Sequence, residues 1–120
     1  MPLLFSYGTL QQDDVQRSTF GRLLRGRPDQ LPAFEPSLVK IEDPSLAAAI
    51  GRTHHANVTH NGRNDSRVNG TVFEITDTDL AAADRFEEGA AYKRIYVTLA
   101  SGAQAWVYVD ARSAPSEPSS

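Results

Sequence analysis

The tightest constraint on the fold lies in residues 92–110. Tyr92 to Ala100 and Ala103 to Asp110 each alternate in character, and only Ser101-Gly102 separates them, which is the pattern of a β-hairpin. In the first strand Lys93, Ile95, Val97 and Leu99 share one face, and Tyr92, Arg94, Tyr96 and Thr98 the other. In the second, Ala103, Ala105, Val107 and Val109 oppose Gln104, Trp106 and Tyr108. Few residues on either face are strongly polar, so both faces need cover. The hairpin therefore predicts a curled or barrel-like sheet with helices packed outside it.

Other segments supply the remaining pieces. The apolar run Leu3-Leu4-Phe5 predicts a buried strand over 3–7. Val39 and Ile41, alternating with Lys40 and Glu42, predict a second near 37–42, ended by Asp43-Pro44. Thr71, Phe73 and Ile75, alternating with Gly70, Val72 and Glu74, predict a third over 69–75. Asp13 and Asp14 followed by Arg17 and Gly21 suit a short helix. Gly21, Gly26 and Pro28 read as loop punctuation, with Leu23 and Leu24 anchoring that loop in the core. Thr76 caps a helix over 77–88, with Asp77 and Asp79 in its first turn and Gly89 as its stop. The expected architecture is α+β, a small mixed, barrel-like β-sheet with surrounding helices. It forms one domain over 1–112, followed by a tail over 113–120 that is disordered by composition.

Composition narrows the function classes. Twelve basic and fifteen acidic residues give a net charge of −3 without a basic cluster, so no nucleic acid or anionic membrane is expected as a partner. The absence of cysteine excludes disulfides, thiol catalysis and thiolate-bound metal. Met1-Pro2-Leu3-Leu4-Phe5 lacks the marks of a signal peptide, and no apolar run is long enough to span a bilayer, so a cytoplasmic protein is expected. All three histidines, His54, His55 and His60, fall in a polar stretch over 51–67 that reads as a loop. Adjacent His54 and His55 point to opposite sides of an extended chain, and no carboxylate spacing supports them, so no metal site is expected. A loop of that length is more often functional than accidental and is a candidate to roof a pocket.

Two stretches carry chemistry. The strand 3–7 runs into Ser6-Tyr7-Gly8-Thr9, where Gly8 makes either a tight turn or a place where backbone N–H groups converge on one oxygen. Eighty residues on, helix phase separates two adjacent glutamates. At about 100° per residue Glu87 falls under Leu80 and near Ala83, while Glu88 lies further round, in line with Ala81 and Asp84. If Leu80 and Ala83 face the core, Glu87 goes inward with them and Glu88 stays toward solvent. An inward carboxylate needs either a structural partner, such as Arg94 or Tyr92, or a task.

Phe5-Ser6-Tyr7-Gly8-Thr9-Leu10-Gln11, Phe20-Gly21-Arg22, Gly51-Arg52-Thr53-His54-His55, Gly70-Thr71-Val72-Phe73, Asp84-Arg85-Phe86-Glu87 and Ala105-Trp106-Val107-Tyr108-Val109 occur in an order that resembles the gamma-glutamylcyclotransferase family, of the AIG2-like, bacterial type. The resemblance implies the gamma-glutamylcyclotransferase-like fold and an intramolecular cyclisation of a gamma-glutamyl amine or peptide, releasing 5-oxoproline and an amine. It implies Glu87 as the catalytic acid/base and Tyr7, Gly8, Thr9 and Leu10 as the substrate-cradling loop. Tyr92 matches the tyrosine that opens the following strand and lines the pocket. The implied partner is a small gamma-glutamyl substrate, with no cofactor, on a monomer or homodimer. The alternative is a non-catalytic protein that binds an amino-acid-like ligand in the same cavity.

Overall fold

A computed structural model of the chain describes residues 2–40, 44, 45, 48, 54–88 and 92–110. Its elements are β1 (Leu3–Ser6), α1 (Asp13–Phe20), β2 (Arg25–Pro32), β3 (Phe34–Lys40), β4 (His54–His60), β5 (Arg67–Glu74), α2 (Asp77–Glu88), β6 (Tyr92–Thr98) and β7 (Gln104–Asp110). Five strands form one sheet in the order β2-β5-β1-β7-β6, and β3 and β4 form a separate two-stranded sheet. The large sheet is mixed: β1 runs parallel to β7 and antiparallel to β5, and the outer pairs are antiparallel. The expected end of the domain near Arg112, the tail 113–120, and the stop at Gly89 lie outside the described residues.

The two-sided character of the hairpin 92–110 is realised as two cores, one on each face of the sheet. Phe5, Val72, Val107 and Val109 enter an inner cluster with Leu31, Phe34 and Val58. Their chain neighbours Leu4, Phe73 and Tyr108 enter an outer cluster with Leu80 and Ala83 of α2 and with Leu10. Adjacent residues thus feed opposite cores, as the period of two requires. Each buried Leu, Val or Phe contributes about 1.5–3 kcal/mol, so losing either core would unfold the domain.

The barrel expectation needs correction. The hydrogen-bond ladder ends at β2 and β6, and the sheet is open. Among the described residues the two edges come together where the turn after β6 meets β2. There the Ala100 N–H donates to the Gln30 carbonyl at 2.9 Å and the Ser101 hydroxyl to Asp29 Oδ2 at 2.6 Å. The strand expected near 37–42 is part of β3 and pairs with β4 rather than joining the large sheet; residues 41 and 42 lie outside the described residues.

Two strands stand where the sequence reads as loop. Gly26 and Pro28 sit in β2, an edge strand, where a proline's missing N–H takes no ladder bond away from a second neighbour. Gly26 is there for contact: a Cβ on it would lie 2.5 Å from Cδ1 of Phe73. Leu23 is no core anchor, being 45% exposed, whereas Leu24 packs on the outer cluster. Within 51–67, residues 54–60 form β4 against β3.

The end of α1 and the start of α2 follow the sequence. Gly21 closes α1 in the left-handed region at φ 77°. At the start of α2, Thr76 and Asp79 form a reciprocal box: the Asp79 N–H donates to Thr76 Oγ1 at 3.1 Å and the Thr76 N–H to Asp79 Oδ2 at 2.9 Å. Arg22 adds two bonds to the same carboxylate, at 2.8 and 2.6 Å, tying the residues after α1 to α2. No helix among the described residues is long and apolar enough to cross a membrane.

Candidate functional site

The residues after β1 turn sharply. Thr9–Gln11 make one 3-10 turn, in which the Gln11 N–H donates to the Gly8 carbonyl at 3.1 Å. Buried Gln16 of α1 braces it, donating from Nε2 to the Leu10 carbonyl at 2.8 Å and accepting the Leu24 N–H at 2.9 Å. Thr71 of β5 donates to Gln11 Oε1 at 2.9 Å, fixing the other side. Gly8 itself has no left-handed φ, and no described residue comes within 4 Å of a Cβ built on it. Neither backbone conformation nor a protein neighbour therefore demands glycine here. What remains is open space above the backbone, which suits close approach by a ligand.

Glu87 is carried inward by Leu80 and Ala83, as helix phase predicts: Ala83 is fully buried and Glu87 is only 9% exposed. Burial raises its carboxyl from 4.5 to about 7. The Glu88 side chain lies outside the described residues. Tyr7, at the end of β1, donates its hydroxyl to the Tyr108 carbonyl of β7 at 2.6 Å. Its phenol is pushed far up, first by burial and then by the fields of Tyr92, Glu87 and Asp110. Tyr92 is raised as well, by burial and then by Glu87 and Asp110. Tyr7, Glu87 and Tyr92, drawn from three separate elements, thus lie within electrostatic reach of one another. Thr9 and Leu10 belong to the adjoining turn; Leu10 turns its side chain into the outer core, so only its backbone is free to meet a ligand.

Arg94 does not serve Glu87. It pairs with Asp84 at 2.9 Å and lies 4.3 Å from the centre of the Trp106 ring, while the Tyr108 hydroxyl donates to the other Asp84 oxygen at 2.7 Å. Three and four residues separate Asp84 from Glu87 and Leu80, so the same helix turn gives one carboxylate a cation and the other none of these partners. His60 sets its ring against Phe34, with centroids 5.0 Å apart; the side chains of His54 and His55 lie outside the described residues. Among the described residues no three His, Asp or Glu side chains are grouped to hold a metal ion.

A cavity of about 490 Å³ opens beside Tyr7, lined also by Asn57 and Val58 of β4 and by Arg67. These three come from the stretch 51–67. Asn57 and Asp110 are the residues that sequence reading missed. Asp110 is 1% exposed, acts on both tyrosines, and gives its N–H to Asn57 Oδ1 at 3.0 Å. The alternation Ala56-Asn57-Val58-Thr59 was the available signal for β4, but flanking histidines and the turn-forming Asn61-Gly62 hid it.

An open mixed sheet cored on both faces, with a buried carboxylate in electrostatic reach of the tyrosine that follows its first strand, defines a class of small α+β protein. Within that class the chain belongs to the family described as gamma-glutamyl cyclotransferase, AIG2-like, whose model matches residues 4–119. Solved structures agree on the fold. A solution structure from Arabidopsis thaliana superposes with a TM-score of 0.71 at 19% identity, covering 93% of this chain and 63% of its own. A second Arabidopsis thaliana protein gives 0.70 at 20% identity, with 95% and 71% covered. A gamma-glutamyl cyclotransferase gives 0.67 at 15% identity, with 89% and 64% covered. The chain thus spans 63% to 71% of the length of these three relatives. None of the curated proteins matches it.

Proposed function

We propose that this chain is a gamma-glutamyl cyclotransferase with Glu87 as its proton shuttle, acting on a gamma-glutamyl amine or peptide. The observation that carries the reading is Glu87 itself, a carboxylate 9% exposed and raised by burial to about 7, in the field it shares with Tyr7 and Tyr92. Near neutral pH such a group is available in both protonation states, which is what a residue acting first as base and then as acid requires.

The reaction balances without water. Ionised Glu87 takes a proton from the substrate's α-ammonium. The freed amine nitrogen attacks the γ-carbonyl carbon, a C–N bond forms, and the carbonyl electron pair moves onto oxygen. The leaving nitrogen takes that proton back from Glu87 as collapse restores the carbonyl and breaks its bond, and the new ring nitrogen, made cationic by the attack, gives up its second proton to the departing amine, which leaves as an ammonium. Thr9 and Leu10 open a helical turn, so their N–H groups have no acceptor within it and are suited to a substrate oxygen. The Tyr7 hydroxyl already donates to Tyr108, so it meets the substrate as an acceptor, suited to the α-ammonium, with Tyr92 alongside. Holding the ends of the substrate together favours the folded, attack-ready shape. The test is release of 5-oxoproline from a panel of gamma-glutamyl compounds by the wild type and by Glu87→Gln. Turnover confined to the wild type supports the reading; equal rates would remove it.

A further inference from the structure

Arg94 stands beside two carboxylates of one helix and serves only one of them. Asp84 and Glu87 lie three residues apart on α2, at neighbouring positions of its surface, with Cβ atoms about 5–6 Å apart. β6 runs along them. Tyr92 is in the field of Glu87, and Arg94, two residues on and on the same face of the strand, pairs with Asp84 at 2.9 Å. Glu87 makes no ion pair among the described residues, although its position is within the swing of an arginine side chain that reaches Asp84.

Asp84 is what keeps the guanidinium where it is. Arg94 lies 4.3 Å from the centre of the Trp106 ring, which packs on Tyr96 with centroids 4.8 Å apart. A ring face attracts the cation but accepts no N–H bond in its plane, so the carboxylate decides where the group stays. That carboxylate is itself fixed, because Tyr108, only 5% exposed, donates its hydroxyl to the other Asp84 oxygen at 2.7 Å. The remaining ionisable groups around this stretch of α2 are Tyr7 at the end of β1, Tyr92 of β6, and Asp110 of β7. Arg85 is exposed on the far side of the helix, Lys93 points to the other face of the sheet, and α1 contributes uncharged Val15 and Phe20. Arg94 is therefore the cation best placed to reach Glu87.

Building on the proposed role of Glu87, we propose that Asp84 is a positioning residue: it holds Arg94 on the Trp106 side of α2, so that Glu87 works without a cation beside it. An opposite charge in contact lowers a carboxylate by about 1–3 pH units. A shuttle paired with a guanidinium stays ionised. It becomes a weaker base toward the α-ammonium and loses the acid form that protonates the leaving nitrogen.

Two readouts keep this proposal separate from the activity on which it builds. The first is an NMR titration of the isotope-labelled Glu87 carboxyl in the full chain, without substrate. In the wild type its midpoint should lie near 7. Asp84→Asn, which has the same shape and still accepts the Tyr108 O–H, should bring it down by at least about one pH unit. Asp84→Ser frees Arg94 in another way and should do the same. Adding Arg94→Gln to Asp84→Asn should return the midpoint to near 7, a rescue that lost packing would not give. Tyr108→Phe leaves the Asp84–Arg94 pair in place and should also keep it near 7. The second readout is the pH dependence of kcat/KM for 5-oxoproline release, whose midpoint should follow the carboxyl in every variant. Three results would each overturn the proposal: a carboxyl near 7 in both Asp84 variants, no return in the double variant, or an equal fall in Tyr108→Phe. The full carboxyl pattern without 5-oxoproline release by the wild type would sink the cyclotransferase reading and leave the hold of Asp84 on Arg94 standing.

Discussion

The two ends of α2 each bury a carboxylate, and the two behave in opposite ways. Asp79, in the first turn, is 5% exposed, and Glu87, in the last, is 9% exposed. Both are nearly closed to solvent contact, but Glu87 lies deeper in the molecule. The paired Arg22 guanidinium, outweighing desolvation and helped by the Thr76 N–H and hydroxyl, holds Asp79 down at about 2, while burial lifts Glu87 to about 7. The helix dipole pushes in the same sense, favouring an anion at the N-terminal end and disfavouring one at the C-terminal end. Lack of solvent contact does not by itself raise a carboxylate; deep packing without donors does. Asp79 is satisfied and holds the helix start in place, whereas Glu87 stays near neutral pH because little around it stabilises its charge.

The largest break in that contrast should come from Glu87→Gln. Release of 5-oxoproline should fall at least about 10²-fold with little change in substrate binding, while Glu88→Gln leaves the rate near that of the wild type. Rate against pH should show the same group: kcat/KM in the wild type should climb as Glu87 ionises, with its midpoint near 7. A flat profile from pH 5 to 8 would separate Glu87 from the chemistry.

Stability should move in opposite directions at the two ends. Glu87 has a folded value above its unfolded 4.5, so the native state holds the extra proton and loses stability as pH rises from about 4.5 to about 7. Glu87→Gln is free of that loss. Its advantage in urea unfolding should grow across the same window to at most roughly 3 kcal/mol above pH 7. Asp79 is the reverse case, with a folded value below its unfolded 3.8. Its contribution is complete above pH 4 and disappears as pH falls through 3.8 toward 2. Asp79→Asn should therefore cost roughly 1–2 kcal/mol at pH 7 and almost nothing at pH 2, since Arg22 is half exposed and screened by water. The smallest effect belongs to Arg22→Gln, which should move the acid limb of unfolding back toward 3.8. An unmoved limb would show that the Thr76 bonds suffice alone.

What the sequence revealed, it revealed through period. Leu80, Ala83 and Glu87 lie on one helical stripe, and that geometry carried Glu87 into the interior as expected. Alternation in β6 and β7 likewise foretold two cores. What stayed hidden depends on neighbours distant in sequence. Gly26 and Pro28 break a central strand but not an edge, and nothing local in Arg25–Pro32 says which it will be. Asn57 reads as a loop residue until Asp110, 53 positions on, is seen to use its carbonyl oxygen. Arg94 had two carboxylates within a helical turn to choose from, and only the placement of Tyr108 beside Asp84 shows which one it takes.

The strand order has a consequence in time. β7 lies between β1 and β6, and its Tyr108 carbonyl receives the Tyr7 hydroxyl across 101 residues. During synthesis, β1 and β5 can pair early and bury part of one core, but the middle of the sheet stays open until β7 arrives. Tyr7 then has no acceptor at Tyr108, Asn57 has no Asp110, and the inner cluster lacks Ala105, Val107 and Val109. Contacts that span the chain close slowly because the loop entropy is spent before they form. The surroundings of Tyr7 are therefore among the last parts of the molecule to form, and a nascent chain short of residue 104 carries Glu87 but lacks β7.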